Sequence, residues 1–416
     1  MNLHVIARLR KGRSNLLQEG ARGSVPLLDR SWFAALLPTR NKVSHPPAPL
    51  PQGEEERFCR APFHPGRVGR QDGGQLAITC GRLVFALVLV LLLSAAPAHA
   101  YMAYASNEKD NTISVIDLDK MQVVKTVPTG QRPRGMALTS DGRRLLVCLG
   151  DSNRIDIFDT KTWQVVGSIN TPDPEYAALR NPENNPLYVS NENNALITVW
   201  NIDTQKMLVQ MPTGVEPEGM AVSPDGQLIV NTTETTNMAQ FFSYGTGKNL
   251  ANVLVPPRPR WAAFTHDGRQ VWVSSELGGA VTVIDTKTFK VLDTIHFAVE
   301  GLRSTFIQPV GIDITADDKL AFVALGPANR VAVVSVPEHK VLSYVATGHS
   351  EYNAKVKKYL LVGQRPWHMA FTPDGKYLLT ANGLSNDVSV IRVSDLRVIN
   401  TIPVGQQPWM VLVSPH

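Results

Sequence analysis

The sequence predicts an all-β, seven-bladed β-propeller, and three observations support this fold class. A proline precedes a short apolar strand seven times, at separations of 41 to 57 residues, which is typical of a repeat array. Each unit carries four short strands separated by turn residues, without helical periodicity. The first and last units are each incomplete, in complementary ways. The repeated prolines are Pro133, Pro174, Pro217, Pro259, Pro309, Pro366 and Pro408.

The first two strands of a unit are predicted to form a hairpin. Four units carry Asp-Gly at this junction, at 141–142, 225–226, 267–268 and 374–375. Asp-Gly between apolar alternations favours a type I′ turn, which needs positive φ at both central residues. The second and third strands are β-branched and aromatic runs such as LYVSN and LITVWNI, joined by a short Asn-rich loop.

The two ends of the repeat region are predicted to share one blade. The C-terminal WMVLVSPH supplies only a first strand, whereas YMAYASNEKDNTISVIDLDKMQVVKTV, which begins at Tyr101, supplies the other three. Pairing between them would close the ring and remove the sheet edges that an open array leaves exposed. We therefore expect one monomeric propeller domain over residues 101–416.

Charge separates the first 100 residues from the rest. The chain has 41 basic and 36 acidic residues, of which residues 1–100 hold 13 and 6, so residues 101–416 hold 28 and 30. The repeat region therefore has a formal charge of −2, and the basic character belongs to the leader. Nucleic acid is not an expected partner of the propeller.

Residues 82–100 have the pattern of a cleaved signal peptide. Arg82 precedes the apolar run LVFALVLVLLL, and small residues lead to a cleavage site near Ala100. The apolar run is too short to span a bilayer, so no membrane span is expected after cleavage. Residues 1–81 are rich in Pro, Arg and Gly and are predicted to be a disordered or mis-assigned upstream leader. The mature protein is expected in the periplasm.

Several segments resemble a known repeat. LYVSNENNALITVWNID, PEGMAVSPDGQLIV and VSVIRVSDLRVINTIPVGQQPWMV are similar to the YVTN-type β-propeller repeat, over nearly all of residues 101–416. The repeat order and small secreted format most resemble the β-propeller proteins associated with PQQ-dependent catabolism. That resemblance implies a binding module linked to quinoprotein alcohol oxidation, without chemistry of its own. It also implies a periplasmic quinoprotein dehydrogenase or cytochrome c as partner.

Candidate ligand- or partner-binding residues flank the repeated prolines, at one end of the axial channel. Basic and acidic residues come from different blades, so this mouth is predicted to be electrically lopsided. Arginine forks there would suit a carboxylated ligand, with Trp and His side chains as walls. The alternatives are rim ion pairs and Trp residues that only pack the blades. The candidates are Arg132, Arg134, Arg258, Arg260, Trp261, Arg303, Arg365, Trp367, His368 and Trp409.

Two connections are longer than the repeat requires. HFAVEGLRSTFIQ and SYVATGHSEYNAKVKKYLL both precede a first strand, so both are expected to project from the same end of the ring. Insertions in repeats often serve binding. The second is predicted to contact an acidic partner, although a tolerated insertion is the alternative. Its candidate residues are Tyr352, Lys355, Lys357 and Lys358.

No metal-binding or catalytic motif is found in the propeller, so no cofactor, metal site or catalytic residue is predicted, and whether the chain is an enzyme stays open. Three cofactors remain as alternatives. Calcium would suit a lactonase-like hydrolase, with ligands from Glu216, Glu218, Glu234 or Glu276 at the channel mouth. Haem in an electron-transfer accessory would need an axial ligand, for which His368 is the candidate. PQQ is disfavoured because vicinal cysteines and regular Trp motifs are absent.

Overall fold

The architecture was derived from a computed structural model that describes residues 101–353 and 358–416, leaving out the side chains of 350–362. The predictions for the leader (1–81) and the signal peptide (82–100) lie outside the described residues. Within the described part the regular structure is thirty strands and three single-turn 3₁₀ helices. None of the helices there is long and apolar enough to cross a membrane.

The strands of the first half of the ring follow one another in four-stranded antiparallel sheets. Blade 1 contains β1 (Met102–Asn107), β2 (Thr112–Asp117) and β3 (Gln122–Pro128). Blade 2 contains β4 (Pro133–Leu138), β5 (Arg144–Leu149), β6 (Arg154–Asp159) and β7 (Val165–Asn170). Blade 3 contains β8 (Pro174–Leu179), β9 (Leu187–Asn191), β10 (Leu196–Asn201) and β11 (Lys206–Pro212), with a 3₁₀ helix at Glu192–Asn194. Blade 4 contains β12 (Pro217–Val222), β13 (Leu228–Thr233), β14 (Met238–Ser243) and β15 (Asn249–Leu254).

The second half repeats the arrangement and adds one small hairpin. Blade 5 contains β16 (Pro259–Phe264), β17 (Gln270–Ser275), β18 (Ala280–Asp285) and β19 (Val291–His296). Blade 6 contains β20 (Ile312–Ile314), β21 (Leu320–Ala324), β22 (Arg330–Ser335) and β23 (Lys340–Ala346), with 3₁₀ helices at Ser304–Phe306 and Gly326–Ala328. The hairpin is β24 (His349–Asn353) and β25 (Lys358–Val362). Blade 7 contains β26 (Pro366–Phe371), β27 (Tyr377–Asn382), β28 (Asp387–Arg392) and β29 (Arg397–Pro403), and the last strand is β30 (Pro408–Val413).

The predicted ring closure is confirmed. β30 pairs antiparallel with β1, with Val411 opposite Ala105, so the C-terminal strand completes blade 1. Ser414 Oγ also accepts a hydrogen bond from the Met102 backbone N–H, at 2.9 Å. The first strands contact one another in an unbroken cycle from β30 through β4, β8, β12, β16, β20 and β26 back to β30. The first strand of each blade is therefore the inner one, and the seven inner strands surround the axis.

The Asp-Gly hairpins form as predicted, but with a different turn. Only the glycines have positive φ, for example Gly142 at +67° and Gly375 at +66°. The Gly142 N–H donates to the Thr139 carbonyl at 2.8 Å, and Thr139 Oγ1 bonds Asp141 Oδ1 at 2.6 Å. Each loop is thus a type I turn followed by a left-handed glycine, and the type I′ prediction is wrong. A four-residue loop needs positive φ at one position only, because the side-chain bonds position the aspartate.

The cores lie between neighbouring blades. Leu146 and Cys148 of β5 pack with Leu187 and Val189 of β9. β-Branched and aromatic residues alternate along these strands and fill both faces of each sheet, since every sheet is covered by a blade on either side. The outermost strands are the exposed ones; Val166 of β7, for example, is 56% exposed. These cores hold the inner strands in a fixed register around the axis.

Both enlarged connections precede an inner strand, as predicted. The first, between β19 and β20, contains the 3₁₀ helix at Ser304–Phe306, and the second contains the β24–β25 hairpin. The base of the hairpin is tied to blade 7, where the Gly363 N–H donates to the Asp387 carboxylate at 3.1 Å. By strand order, the two insertions lie at the end of the ring where the inner strands begin.

Candidate functional site

The residues that follow the repeated prolines form a ring at the mouth of the channel, because all inner strands begin there. Two adjacent glutamates lie in this ring, each with an arginine on its other side. The guanidinium of Arg134 lies 5.3 Å from the Trp409 ring centre, and that of Arg260 lies 5.6 Å from the Trp367 ring centre. We call these residues the mouth ring; from blade 1 to blade 7 they are Trp409, Arg134, Glu175, Glu218, Arg260, Val310 and Trp367.

The Asn-rich loops noted in the sequence position this ring. Asn111 Oδ1 accepts the backbone N–H of Arg132 at 3.0 Å, and Asn237 Oδ1 accepts that of Arg258 at 3.0 Å. Asn tolerates the left-handed conformation that these positions adopt, with φ of +55° and +54°. The bond ties each loop before an inner strand to the preceding blade. The same arrangement recurs at Asn153, Asn329 and Asn386.

On one side of the mouth two arginines from blade 2 bind acids of blades 1 and 3. Arg132 Nη1 lies 2.8 Å from Asp173 Oδ1, and its Nη2 lies 2.9 Å from both Glu175 Oε2 and Glu192 Oε2. Arg134 contacts the other oxygen of Glu175 and, at 3.2 Å, Glu108. Glu175 is fully buried, and both of its oxygens are paired with arginine.

On the other side, Arg260 of blade 5 contacts three glutamates. Its Nη1 lies 2.6 Å from both Glu218 Oε1 and Glu234 Oε2, and its Nε lies 3.0 Å from Glu276 Oε2. Arg258 bridges the same two outer acids, at 2.9 Å from each of Glu234 and Glu276. Arg260 is buried, so its ion pairs are shielded from water, whereas the Arg258 side chain is 40% exposed.

The predicted lopsided charge of the mouth is wrong, because sequence reasoning missed half of the partners. Glutamates at the end of the second strand neutralise the arginines that flank the prolines. They occur at the same position of four repeats, at the end of the segments SNE, SNE, TTE and SSE. This recurrence could have predicted them from the sequence. These glutamates are Glu108, Glu192, Glu234 and Glu276. The mouth is therefore a mixed ion-pair network, as the rim ion-pair alternative expected.

Burial alters the two central carboxyls. It raises the pKa of Glu175 to about 7, against the opposing attraction of Arg134 and Arg132. It raises the pKa of Glu218 well above the usual range, again against the attraction of Arg260, and the nearby carboxylate of Glu175 adds to the rise. Glu218 Oε2 is buried and makes no hydrogen bond to any residue that the structure describes. Burial therefore favours the protonated form of both carboxyls, and one oxygen of Glu218 has unused hydrogen-bonding capacity.

Arg365 is the least paired arginine of the mouth. Its guanidinium stacks over Trp367 at 4.7 Å, and the nearest acid oxygen, of Glu276, is 3.6 Å away. Burial and the like charges of Arg260 and Arg258 lower the pKa of Arg365, although Glu276 opposes them. Its side chain is 30% exposed. This arginine therefore lies ready for an anionic or carbonyl oxygen.

Below the mouth ring, three aromatic side chains from separate blades meet on the axis, and Trp409 of the ring packs against them. Tyr176 Oη and His368 Nε2 are 2.7 Å apart, and the Tyr176 ring centre is 5.3 Å from that of Trp261 and 4.7 Å from that of Trp409. Burial, and then the nearby arginines, lower the pKa of His368 well below its usual value, so the imidazole is neutral. We call Tyr176, Trp261 and His368 the aromatic plug; with Trp409 packed on them, they close the channel beneath the mouth.

Glycines make room for the plug. At the second position after the proline, blades 2, 4 and 6 carry Gly135, Gly219 and Gly311, whereas blades 3, 5 and 7 carry Tyr176, Trp261 and His368. A Cβ on Gly135 would lie 2.5 Å from the Glu175 carbonyl oxygen, and one on Gly311 would lie 2.6 Å from that of Trp367. Each glycine thus lets the next inner strand approach closely. The alternation of glycine with a Tyr, Trp or His side chain is visible in the sequence and could have predicted the aromatic plug.

The remaining candidates divide between exposed and undescribed positions. Arg303 lies in the insertion before β20, where it is exposed and has no ion pair with a described residue. Tyr352 and Lys358 lie in the β24–β25 hairpin, with their side chains left out. Lys355 and Lys357 lie outside the described residues. The acidic-partner hypothesis for this hairpin therefore stays a prediction.

The carboxylates of the mouth do not fit a calcium site in this conformation. Glu218, Glu234 and Glu276 hold Arg260, and Glu216 lies apart, bonded to Thr235. A second group, Asp173, Glu175 and Glu192, has oxygens within 4.8 Å of one another. Arg132 contacts all three of these acids, so its guanidinium occupies the position that a cation would need. His368 Nε2, the candidate haem ligand, is bonded to Tyr176.

Comparison with known proteins places this geometry in a family. The family described as lactonase, seven-bladed β-propeller, matches residues 98–164 and 256–411. That is more than half of the chain, and the chain belongs to this family.

Individual relatives are distant. The chain is 23% identical over 218 residues to a 6-phosphogluconolactonase of Cronobacter sakazakii, across 50% of this chain and 61% of that protein. It is 22% identical to the uncharacterized protein YwhL of Bacillus subtilis, across 76% of this chain and 66% of that protein. The hydrazine synthase structure of Kuenenia stuttgartiensis superimposes with a TM-score of 0.61 at 20% identity, across 70% of this chain and 92% of that one. The chain spans 42% to 66% of the lengths of the curated relatives it matches.

The family corrects one expectation from the sequence. The resemblance implied a module of quinoprotein alcohol oxidation without chemistry of its own, and the lactonase family match overturns that implication. The β-propeller part of the resemblance is correct. YVTN-like strands recur in propellers of many functions, so their similarity indicates the fold rather than the reaction.

Proposed function

We propose that the chain is a lactonase-like hydrolase that opens a cyclic ester at the channel mouth, without a metal. The observation that carries this proposal is the buried Glu218 carboxyl, whose Oε2 has no hydrogen-bond partner among described residues, beside Arg260. Membership of the lactonase propeller family supports the reaction class. Catalysis by paired carboxyls and arginines needs groups whose pKa values lie near or above neutrality, which burial supplies here.

The proposed roles follow from charge and position. Glu218 in its ionised form takes a proton from water as the water oxygen attacks the lactone carbonyl. Arg365, stacked on Trp367 and poorly paired, stabilises the negative charge on the carbonyl oxygen. The ring C–O bond then breaks, and the departing oxygen receives the proton from Glu218. The product is a hydroxy acid, which ionises and releases one proton to the solvent.

Access is part of the proposal. Glu218 and Glu175 are both fully buried, so a substrate reaches them only after a side chain of the mouth moves. Arg365 suits this role because it is 30% exposed and its nearest acid oxygen is 3.6 Å away. The aromatic plug beneath prevents the substrate from passing into the channel and excludes water from below.

The direct test is a pH-stat assay of proton release from a panel of γ- and δ-lactones, corrected for spontaneous hydrolysis. We expect saturable hydrolysis of at least one lactone, and a loss of about 100-fold or more in kcat/KM for Glu218→Gln. The matched control is Glu338→Gln, an exposed glutamate in the turn between β22 and β23. No lactone hydrolysis across the panel, or full activity of Glu218→Gln, would contradict the proposal.

The pH profile gives a second test. Since Glu218 must be ionised and burial raises its pKa, kcat/KM should keep rising with pH beyond the range in which an ordinary glutamate is already ionised, rather than level off near pH 5. A rate that is flat between pH 5 and pH 8 would exclude the buried carboxyl pair as the base.

We also propose that the protein is exported, from the signal-like residues 82–100. N-terminal sequencing of protein from a periplasmic extract should find a chain that begins near Tyr101. Retention in the cytoplasm with an intact leader would refute export.

A further inference from the structure

The other end of the axial channel opens into a cavity of about 850 Å³ that the mouth chemistry does not use. This volume is within the range of small-molecule sites. The walls come from blades 5, 6, 7 and 1, and much of the lining is apolar. The apolar lining includes Ile314, Leu320, Ala370, Phe371, Leu412 and Val413.

One polar residue interrupts the inner surface at this level. Four residues after the repeated proline, five blades carry alanine and blade 1 carries Leu412, whereas blade 6 carries Asp313. Asp313, Ala370 and Leu412 line the cavity together, so this position faces the channel in neighbouring blades. A carboxyl at a position that the repeat otherwise fills with a methyl or isobutyl group is not required by the fold. The alanines are Ala137, Ala178, Ala221, Ala263 and Ala370.

Asp313 has no cationic partner among the described residues. Its Oδ2 accepts the Phe371 backbone N–H at 3.0 Å, and its Oδ1 accepts the Ile314 backbone N–H at 3.0 Å. Burial raises its pKa to about 7, against those two bonds and the nearby His266.

The charges at the rim of the cavity, by contrast, are already matched. Asp317 lies 2.9 Å from Lys319 Nζ, and Asp374 lies 2.9 Å from Lys376 Nζ. Among the carboxylates that line the cavity, Asp313 is therefore the one without a paired cation in the described part of the chain.

We propose that this lower cavity is a binding site for a small protonated amine with an apolar body, held by an ion pair to Asp313. A single carboxylate at the base of an apolar chamber complements one ammonium group and the hydrocarbon attached to it. A hard metal ion is a poorer fit, because no cluster of three ligands includes Asp313 within the described part of the chain. The aromatic plug lies nearer the mouth, so this site is distinct from the proposed hydrolytic one.

The proposal has a defined pH dependence. An ammonium ligand pairs with ionised Asp313, so affinity should fall as pH drops below about 7. The other titratable or charged residues that line the cavity are His266 from blade 5, Asp317 and Lys319 from blade 6, and Asp374 from blade 7, while blade 1 contributes Leu412 and Val413. His266→Gln tests whether this neighbour contributes, because His266 is the one histidine among the described residues that line the cavity.

The test is calorimetric titration of the full mature chain with 2-phenylethylamine and with 2-phenylethanol, which has the same apolar body without the charge. At pH 8 the amine should bind at least tenfold more tightly than the alcohol. At pH 5.5 that preference should shrink about tenfold, in the wild type and in His266→Gln alike.

Asp313→Ala should abolish the preference for the amine, and the change restores the residue that five other blades carry at this position. Asp313→Asn, which keeps the shape of the side chain, should also abolish the preference for the amine. Asp317→Asn, at a rim residue that is paired with a lysine, should leave the preference unchanged. Glu218→Gln should leave amine binding unchanged, which separates this site from the hydrolytic proposal. Equal binding of amine and alcohol, or an amine preference that survives Asp313→Ala, would overturn the inference, as would the absence of saturable binding at millimolar amine.

Discussion

The two ends of the axial channel use the same seven strands in opposite ways. At the mouth, charged residues from blades 1 to 5 neutralise one another, and Arg260 alone contacts three glutamates. At the lower end, Ala370 and Leu412 line an apolar cavity, and one carboxyl at the same repeat position, Asp313, has no counter-ion among the described residues. The aromatic plug separates them. The comparison shows that the repeat places equivalent side chains at equivalent positions in every blade. A single residue that differs from the repeat, such as Asp313, can then give one end of the channel a reactive or ligand-binding group.

The largest expected effect comes from breaking the mouth network. Arg260→Ala would leave Glu218, Glu234 and Glu276 with unbalanced charge in a buried site, and should lower the free energy of unfolding by about 3–5 kcal/mol. The matched control is Arg143→Ala, whose side chain is 83% exposed and should change stability by less than about 0.5 kcal/mol. Urea unfolding followed by fluorescence measures both. A loss below 1 kcal/mol for Arg260→Ala would mean that the network contributes little.

The next largest effect on stability is expected at the glycines that let neighbouring inner strands approach closely and so leave room for the aromatic plug. Gly219→Ala puts a Cβ against the carbonyl of Arg260 and 2.7 Å from the Trp261 Cα, so the strands must separate. We expect a loss of about 1–3 kcal/mol. Gly245→Ala is the control, because nothing lies within 4 Å of a Cβ there. Equal melting temperatures for the two variants would contradict this account of the glycine alternation.

A smaller effect is expected from Asp313→Ala at the lower end of the channel. Unlike the two preceding substitutions, it should raise the free energy of unfolding once the pH exceeds about 4. The pKa of Asp313 is about 7 in the folded state and near 4 when unfolded, so the folded state holds its proton more tightly. Both states are protonated well below pH 4. As pH rises toward 7 the unfolded state loses its proton first, and stability falls. A difference of three pKa units corresponds to about 4 kcal/mol at most, and because Asp313 is only partly buried, Asp313→Ala should gain about half of that, about 2 kcal/mol, relative to wild type between pH 4 and pH 8. Parallel stability profiles for the two proteins would exclude the raised pKa.

The smallest effect on stability is expected in the aromatic plug, which separates the two ends of the channel. Tyr176→Phe removes the hydroxyl that lies 2.7 Å from His368 Nε2 and leaves a buried nitrogen without its partner. We expect a cost of about 1–2 kcal/mol. The ring packing with Trp261 and Trp409 should persist, and tryptophan fluorescence should report it. A loss of channel closure, seen as a changed tryptophan environment, would show that the bond, rather than the packing, holds the plug.

Much of the fold could be predicted from local patterns. The spacing of the prolines, the Asp-Gly turns and the complementary end fragments are contained in short segments, and each indicates strands and their order. The partners of the mouth arginines were harder to predict. The sequence suggested Glu234 and Glu276 only as ligands of an alternative calcium site, because their distance from Arg260 depends on how adjacent blades dock. The turn type was mistaken because the bond from Thr139 to Asp141 was not considered.

The sequence by itself determined the number of blades, their order and the closure of the ring, since each depends on a period and on hydrogen bonds between neighbouring segments. Only the tertiary structure decided which side chains meet on the axis. Tyr176 and His368 are 192 positions apart, and their contact exists because seven sheets converge on a common channel. The same convergence buries Glu175 and Glu218 and raises their pKa values, since desolvation depends on the surrounding fold and not on neighbours in the chain.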